Sequence, residues 1–407
     1  MAAFARSSDL SLNDLWLCRP PVAVAVFAAL AGCTMAPPSV HEVQGLLCAG
    51  QGVSVDIAFA GAGRHHCVLA PDGGVVVSVD HEPAVVEGIN PSPWFALRLT
   101  SDAAGPRTVT LDYTDYEHRY APYLSSDGKT WTMVAPDRIA LNPKKSRATL
   151  RLDLPKGPVF LAGQPMSTSS QALAWTRRFL EGRGFSEMRY GASLQGRPLV
   201  GFVGGGQAGR DTIVALTRQH PPETTGEEAF RGFLDRLFGR DDDKAKAFRA
   251  AHRIVLAPMP NPDGVDAGNW RLNGGGVDLN RDWGPFTQPE TRALSSWILD
   301  QSKGRRVVSM IDFHSTFKTT IYAPPLDAPS PTIGFLPSLE QHFRDELKEA
   351  PEWSYGHNVN GGTSKGWALE ALHAPGVTVE LWDQIPTADA RALGAATADA
   401  MIDYFSN

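Results

Sequence analysis

Several segments of this sequence are apolar and β-branched until their last residues, where they turn abruptly polar. One run, DTIVALTRQ (211–219), leads into His220-Pro221-Pro222-Glu223. An imidazole and a carboxylate three residues apart in a strand-to-helix loop can both reach one cation. Zinc takes neutral imidazole and carboxylate readily, and a catalytic zinc uses three protein ligands plus one water. A second run, VVSMIDFH (307–314), ends in His314 and supplies the candidate third ligand. Taken singly, an HxxE pair or a strand-end histidine is usually structural. Two such groups at the ends of buried strands carry much more weight.

Two further features belong with these. The segments Asn261-Pro262-Asp263-Gly264-Val265, Gly268-Asn269-Trp270-Arg271 and Gly276-Val277-Asp278-Leu279-Asn280-Arg281-Asp282-Trp283 follow one another closely and read as loop. An ordered surface loop accounts for the Asn and Asp residues, which satisfy local backbone. It does not account for Arg271 and Arg281, each close to a tryptophan. Guanidinium groups bind carboxylates and oxyanions with a two-pronged geometry that lysine lacks. Then Thr378-Val379-Glu380-Leu381-Trp382 sets one acid inside an apolar run. Desolvating that anion is costly, so Glu380 must be paired, protonated or near a metal. Beside a metal-activated water it serves as a general base of raised pKa.

Such groups converge only if their elements are aligned, and functional residues in α/β sheets gather at the C-terminal ends of strands. From Ser167 onward, apolar runs at 199–205, 211–219, 253–260, 307–314 and 376–382 alternate with helical patterns at 169–182, 226–239, 288–303, 338–350, 363–372 and 388–406. This alternation predicts an α/β domain with a mixed, mostly parallel sheet flanked by helices. Before it, short alternating runs such as VSVDIAF (53–59), RTVTLDYT (107–114) and ATLRLDL (148–154) are separated by turn clusters at 71–74 and 125–128. They predict an N-terminal antiparallel β-sandwich. A packing and positioning role for it is favoured over a lectin-like one. His65 and His66 adjoin on one strand and so point to opposite faces, which rules out a joint metal site.

At 407 residues the chain exceeds one ordinary core. The expected division is a leader at 1–32, a tether at 33–41, the sandwich at 42–165 and the catalytic domain at 166–407. A composition of 43% hydrophobic and 20% charged residues describes a globular chain rather than a disordered one. Its 38 basic and 44 acidic residues leave a charge of −6, which argues against nucleic acid as a partner. No apolar run approaches the roughly 20 residues of a spanning helix. The run PVAVAVFAALA (21–31), after Arg19, has the length of a signal-peptide core. It ends in Leu30-Ala31-Gly32-Cys33, which resembles a bacterial lipobox. That resemblance implies cleavage before Cys33 and acylation of its thiol, giving a cell-envelope protein held on the periplasmic side by a lipid anchor. Cys18 is then lost, and Cys48 with Cys67 remains as an even pair in an oxidising compartment. A disulfide between them is expected.

In the order HxxE, NPDGV…GNWR, GVDLNRDW, DFHS and TVELW, the sequence resembles the zinc metallocarboxypeptidase family (carboxypeptidase A-like, M14) over roughly residues 167–405. The β-domain, with Pro91-Ser92-Pro93-Trp94, and the short zinc loop look most like the cytosolic-carboxypeptidase-like branch. The resemblance implies that His220, Glu223 and His314 hold one Zn2+. It implies that Glu380 deprotonates the metal-bound water and passes the proton to the leaving amine. Arg271 would stabilise the oxyanion, and Asn280 and Arg281 would grip the free C-terminal carboxylate of a peptide substrate. Asp312 would be an acceptor behind His314. The branch also suggests acidic C-terminal residues, for which Lys318 is one candidate partner, though it is equally a surface lysine. Two departures stand out: Pro222 precedes the ligand Glu223, and Trp367-Ala368-Leu369 occupies the place where many carboxypeptidases carry a substrate-closing tyrosine. The competing readings are a zinc amidohydrolase acting on N-acyl amino acids and a catalytically silent envelope binding lipoprotein.

Overall fold

The structure, a computed structural model, describes residues 45–82, 93–114, 116–206, 211–240 and 242–406. The leader, Cys33, Pro91 and Ser92 lie outside these residues. Val43–Asn407 form one compact unit. Among the described residues no helix is long and apolar enough to cross a membrane.

Two sheets make the N-terminal part. One runs in the order β1 (Leu46–Gly50), β2 (Val53–Asp56), β5 (Ala96–Ser101), β11 (Gly157–Ala162), β7 (Tyr123–Ser125), β8 (Thr132–Met133). The other runs β3 (His65–Leu69), β4 (Val75–Val79), β6 (Gly105–Tyr113), β10 (Arg147–Leu154), β9 (Ile139–Leu141). Pairing is antiparallel throughout except between β4 and β6, which run parallel. Alternate residues such as Val53, Val55, Val75, Val77, Leu150 and Leu152 turn inward to a shared core, as the period-2 pattern requires. His65 is buried and His66 exposed, so the adjacent pair does diverge.

Cys48 on β1 and Cys67 on β3 are joined as a disulfide, with Cα atoms 5.5 Å apart, so the bridge ties one sheet to the other. It closes a loop with a sequence separation of 19. Reduction, or a Cys48→Ser/Cys67→Ser double substitution, is expected to lower unfolding stability by about 3 kcal/mol through the freed chain entropy. Denaturant titration with and without reductant checks this; coincident curves would show that the bridge contributes nothing.

The third sheet follows the order β12 (Ser186–Ala192), β13 (Pro198–Gly205), β15 (His252–Ala257), β14 (Asp211–Thr217), β16 (Arg306–Thr316), β19 (Gly376–Trp382), β17 (Thr320–Ala323), β18 (Glu352–Tyr355). Its centre, β15–β14–β16–β19, is parallel, and the antiparallel pairs lie toward the edges. Helices α1 (Ser169–Leu180), α2 (Thr224–Leu234), α3 (Asp243–Ala251), α6 (Phe335–Glu346) and α8 (Thr387–Phe405) contribute to the core on one face. Helices α5 (Pro289–Gln301) and α7 (Ser364–Leu372) contribute to the core on the other. The short α4 (Pro262–Asp266) opens the Arg-bearing loop. The mixed, mostly parallel sheet flanked by helices expected from the alternation is therefore present. Details differ: the helix expected at 338–350 starts at Phe335, and the one expected at 226–239 ends at Leu234 in a π turn (Asp235–Gly239). Strand β12 had no clear apolar alternation to reveal it, since its residues are exposed or half-buried.

Candidate active site

Strands β14, β16 and β19 are parallel neighbours, so their C-terminal ends lie along one edge of the sheet. The register sets His314 beside Glu380 and Leu216 beside Asp312. On β19, Val377, Val379 and Leu381 belong to the core beneath α2 and α8, so Glu380 points to the opposite face. On β16, Ile311 and Phe313 enter the same core, which sends Asp312 and His314 to the Glu380 side. The alternation that buries these strands thus presents the acid and the imidazole together.

His220 follows β14 on a tight loop. Arg218 adopts a left-handed φ of 63° yet is almost wholly buried. Its guanidinium donates to the carbonyls of Pro221 (2.6 Å) and Ser167 (2.9 Å) and pairs with Glu227. That grip curls the chain so that His220 and Glu223 face inward. Helix α2 then starts directly against β16: a Cβ on Gly226 would stand 2.8 Å from the His314 carbonyl carbon, an approach only glycine permits.

His220, Glu223 and His314 converge, with one donor atom from each lying within 4.8 Å of the others. Glu223 Oε1 is 2.9 Å from His220 Nδ1, Oε2 is 2.8 Å from His314 Nδ1, and the two Nδ1 atoms are 3.2 Å apart. The outer nitrogens are engaged by carboxylates: His220 Nε2 with Asp278 Oδ1 at 3.0 Å, and His314 Nε2 with Asp312 Oδ2 at 2.8 Å. An Nε2–H donating outward leaves the Nδ1 lone pair aimed at the centre, the usual way a second carboxylate orients a metal-binding histidine. Donors about 2 Å from a tetrahedral zinc are spaced roughly 3.3 Å apart. The 3.2 Å separation fits that spacing. Burial opposes charge on His314, but Asp312 and Glu223 outweigh it and raise its pKa well above the usual range. The pocket favours positive charge, and one divalent ion would satisfy all three donors together. Pro222, just before Glu223, does not disturb this geometry.

Asp278 was overlooked in the sequence because its type is equally explained as a turn cap, and it does cap the Asn280 N–H (2.8 Å). Its second oxygen accepts from Arg271 Nε at 2.6 Å, so one carboxylate orients both a metal-site imidazole and Arg271. Asn280 accepts the Ser364 N–H through Oδ1 (2.9 Å), leaving its NH2 to donate. Arg281 is exposed, with Nη1 donating to the Asn280 carbonyl at 2.7 Å. Desolvation, partly offset by Asp278, draws the Arg281 pKa below its usual value, with Arg271 acting in the same direction. Both guanidinium groups lie within electrostatic reach of Glu380, a placement suited to binding a carboxylate.

Glu380 Oε2 is buried and has no hydrogen-bond partner. Burial, reinforced by Glu223, pushes this carboxyl up to about 7. An unpartnered acid of that pKa beside a metal site is the arrangement general-base chemistry requires.

Lys318 does not serve the cleft. It pairs with Glu352 and is half-exposed, so the surface reading holds. Lys365, which sequence reading passed over, is buried instead. Helix α7 docks by Ser364 Oγ donating to Asp312 Oδ2 at 2.5 Å. This places the Lys365 ammonium 5.8 Å from the Tyr322 ring centroid. Burial first, then Arg281, lowers its pKa to about 8. Trp367, in the sequence position of the missing tyrosine, is core: its ring lies 5.0 Å from that of Trp283.

The sandwich also reaches the site. Arg119 Nε donates to Asp383 Oδ2 (2.7 Å), three residues beyond Glu380. Gln164 bridges Asp383 Oδ1 (3.0 Å) and Thr224 (2.9 Å), the residue after Glu223.

Fold and site together have the layout of a zinc carboxypeptidase. Residues 185–286 match the family model for zinc carboxypeptidase. Along the chain, a metallo-carboxypeptidase from Burkholderia cenocepacia superposes with a TM-score of 0.74 over 87% of this chain and 99% of its own, at 18% identity. A metallo-carboxypeptidase from Pseudomonas aeruginosa, solved with (2-guanidinoethylmercapto)succinic acid, gives 0.67 over 86% and 98%, at 19% identity. In sequence, human cytosolic carboxypeptidase-like protein 5 is 41% identical over 76 residues, which is 19% of this chain and 9% of that one. An uncharacterized protein of Zymomonas mobilis is 29% identical over 194 residues, 46% of this chain and 47% of its own. The chain thus spans about half or less of the length of these curated relatives. The resemblance to the family and to its cytosolic-carboxypeptidase-like members is borne out.

Proposed function

We propose that this chain is a zinc-dependent metallocarboxypeptidase that hydrolyses the C-terminal peptide bond of peptides, with one Zn2+ per chain. The observation that carries this reading is the Glu380 carboxyl, whose buried Oε2 has no partner, beside the His220–Glu223–His314 triad and within electrostatic reach of Arg271 and Arg281. Zinc supplies a Lewis acid and lowers the pKa of water at the site. Glu380 takes the proton of the attacking water and returns it to the leaving amine. Arg271, held by Asp278, faces the oxygen on which negative charge develops. Arg281 and the NH2 of Asn280 bind the terminal carboxylate, so a chain end is favoured over an internal bond. Purified protein should release C-terminal residues from free-acid peptides, lose this with a zinc chelator, and leave C-terminally amidated peptides intact. Hydrolysis confined to N-acyl amino acids, or none of any kind, would sink the reading.

The substrate's last side chain meets Lys365 in this reading, which favours acidic C-terminal residues. Lys365→Ala should raise KM for a C-terminal Glu peptide about 10- to 100-fold and leave a C-terminal Leu peptide nearly unchanged. The sign of the pH effect follows from the ammonium: it is charged below about pH 8 and neutral above. kcat/KM for the Glu peptide should therefore fall as pH rises through about 8, while the Leu peptide shows no such limb. Parallel limbs for both peptides would count against Lys365.

We place the enzyme in a bacterial cell envelope, lipid-anchored through Cys33 on the periplasmic side, with a sandwich at 42–165 and a catalytic domain at 166–407. The paired Cys48 and Cys67 support an oxidising compartment. Cys33→Ser should move the protein from the membrane to the soluble fraction; an unchanged distribution argues against acylation there.

A further inference from the structure

The loop that carries Arg271 is seated in the sandwich. Trp270 belongs to the sandwich's core, where its indole N–H donates to the Tyr120 hydroxyl at 3.0 Å. Gly268, at φ +65°, lies so close to the sandwich that a Cβ there would stand 1.8 Å from the Ala62 carbonyl oxygen. Asp266 accepts the Gly61 N–H (2.9 Å) through its carbonyl, and Arg64 donates to the Asn269 side chain (3.3 Å).

At the tip of this seat is a buried acid, Glu82, that the proposed chemistry does not use. Its carboxylate accepts three consecutive backbone N–H groups across the interface. Trp270 N lies 2.9 Å from Oε2, Arg271 N lies 2.9 Å from Oε1 and 3.1 Å from Oε2, and Leu272 N lies 3.1 Å from Oε2. Three amides pointing at one spot need an anion, because a neutral amide oxygen can satisfy only part of the set. Without it they would be buried donors with no acceptor.

We infer that Glu82 is a positioning residue: the sandwich domain, through this carboxylate, fixes the backbone of Trp270–Arg271–Leu272 and thereby aims Arg271 at the reacting carbonyl. The inference rests on the proposed role of Arg271. Asp278 holds the guanidinium from one end and Glu82 holds the main chain from the other, so Arg271 is constrained at both.

The test uses the whole chain with zinc bound. Glu82→Gln keeps the shape but turns an NH2 toward backbone donors. It should lower kcat/KM on a C-terminal Glu peptide about 10- to 100-fold, mostly in kcat, because misplacing a catalytic group by about 1 Å costs that much. Zinc content should be unchanged. In an Arg271→Ala background the same substitution should cost less than threefold, since its effect passes through the missing guanidinium. A full additive loss in that background, or a kcat/KM within threefold of wild type in the single variant, overturns the inference. Amide hydrogen exchange in residues 268–276 supplies a readout independent of activity. Faster exchange in Glu82→Gln supports the seat and unchanged exchange refutes it, even if the wild-type chain proves inactive and the peptidase reading itself falls. Should Glu82→Gln fail to fold, Glu82→Asp decides by the same measurements, because the charge is kept while the reach is shortened.

Discussion

Replacing Glu380 by Gln should lower kcat about 10²- to 10⁴-fold while KM and zinc content stay close to wild type. The amide keeps the size and the position opposite His314 but cannot accept a proton, so what is lost is proton transfer in the transition state. Burial and Glu223 push the Glu380 carboxyl upward, and a bound cation opposes that shift. The base works only when ionised. Activity should therefore fall as pH drops, with the acid limb of kcat/KM at or below about pH 7, and Glu380→Gln should lose that limb. A variant within tenfold of wild type would remove Glu380 from the role of base.

Breaking the triad should have a comparable effect by a different route. His314→Ala removes one of three donors, and the remaining Glu223 and His220 cannot close the coordination alone. Purified His314→Ala should carry less than a tenth of the wild-type zinc and show no measurable turnover. Asp278→Asn tests the layer behind. An amide there can orient His220 or Arg271 but not both as acceptor, so zinc affinity should fall about 10- to 100-fold. Metal analysis of dialysed protein and competition with a chromophoric chelator read both results. Stoichiometric zinc in His314→Ala would show that the ion sits elsewhere.

The convergence of His220, Glu223 and His314 and the burial of the Glu380 carboxyl were legible because strand alternation leaves few explanations for a charged residue in an apolar run. Glu380 lies between Val379 and Leu381, and the same alternation that made it conspicuous turns it toward His314. Asp278 was hidden by having two jobs, one local and one distant; only the local one, capping the Asn280 N–H, shows in sequence. Lys365 opens a helix, where a lysine reads as solvated, and only the docking of Ser364 on Asp312 reveals that it is buried. Glu82 stands 188 residues from Trp270, and nothing local marks it as an acceptor for that backbone. The short strands β17 and β18 were missed because four residues are too few to display a period.

The seating of Trp270 bears on how such a fold could be rebuilt. A protein engineer who excised the α/β layer from Ser169 onward would strip an indole of its cover and leave a row of main-chain donors facing water. Exchanging the sandwich for one from another relative would succeed only where the replacement offers a matching socket and acid. The two halves are better treated as parts cut to one another than as interchangeable modules.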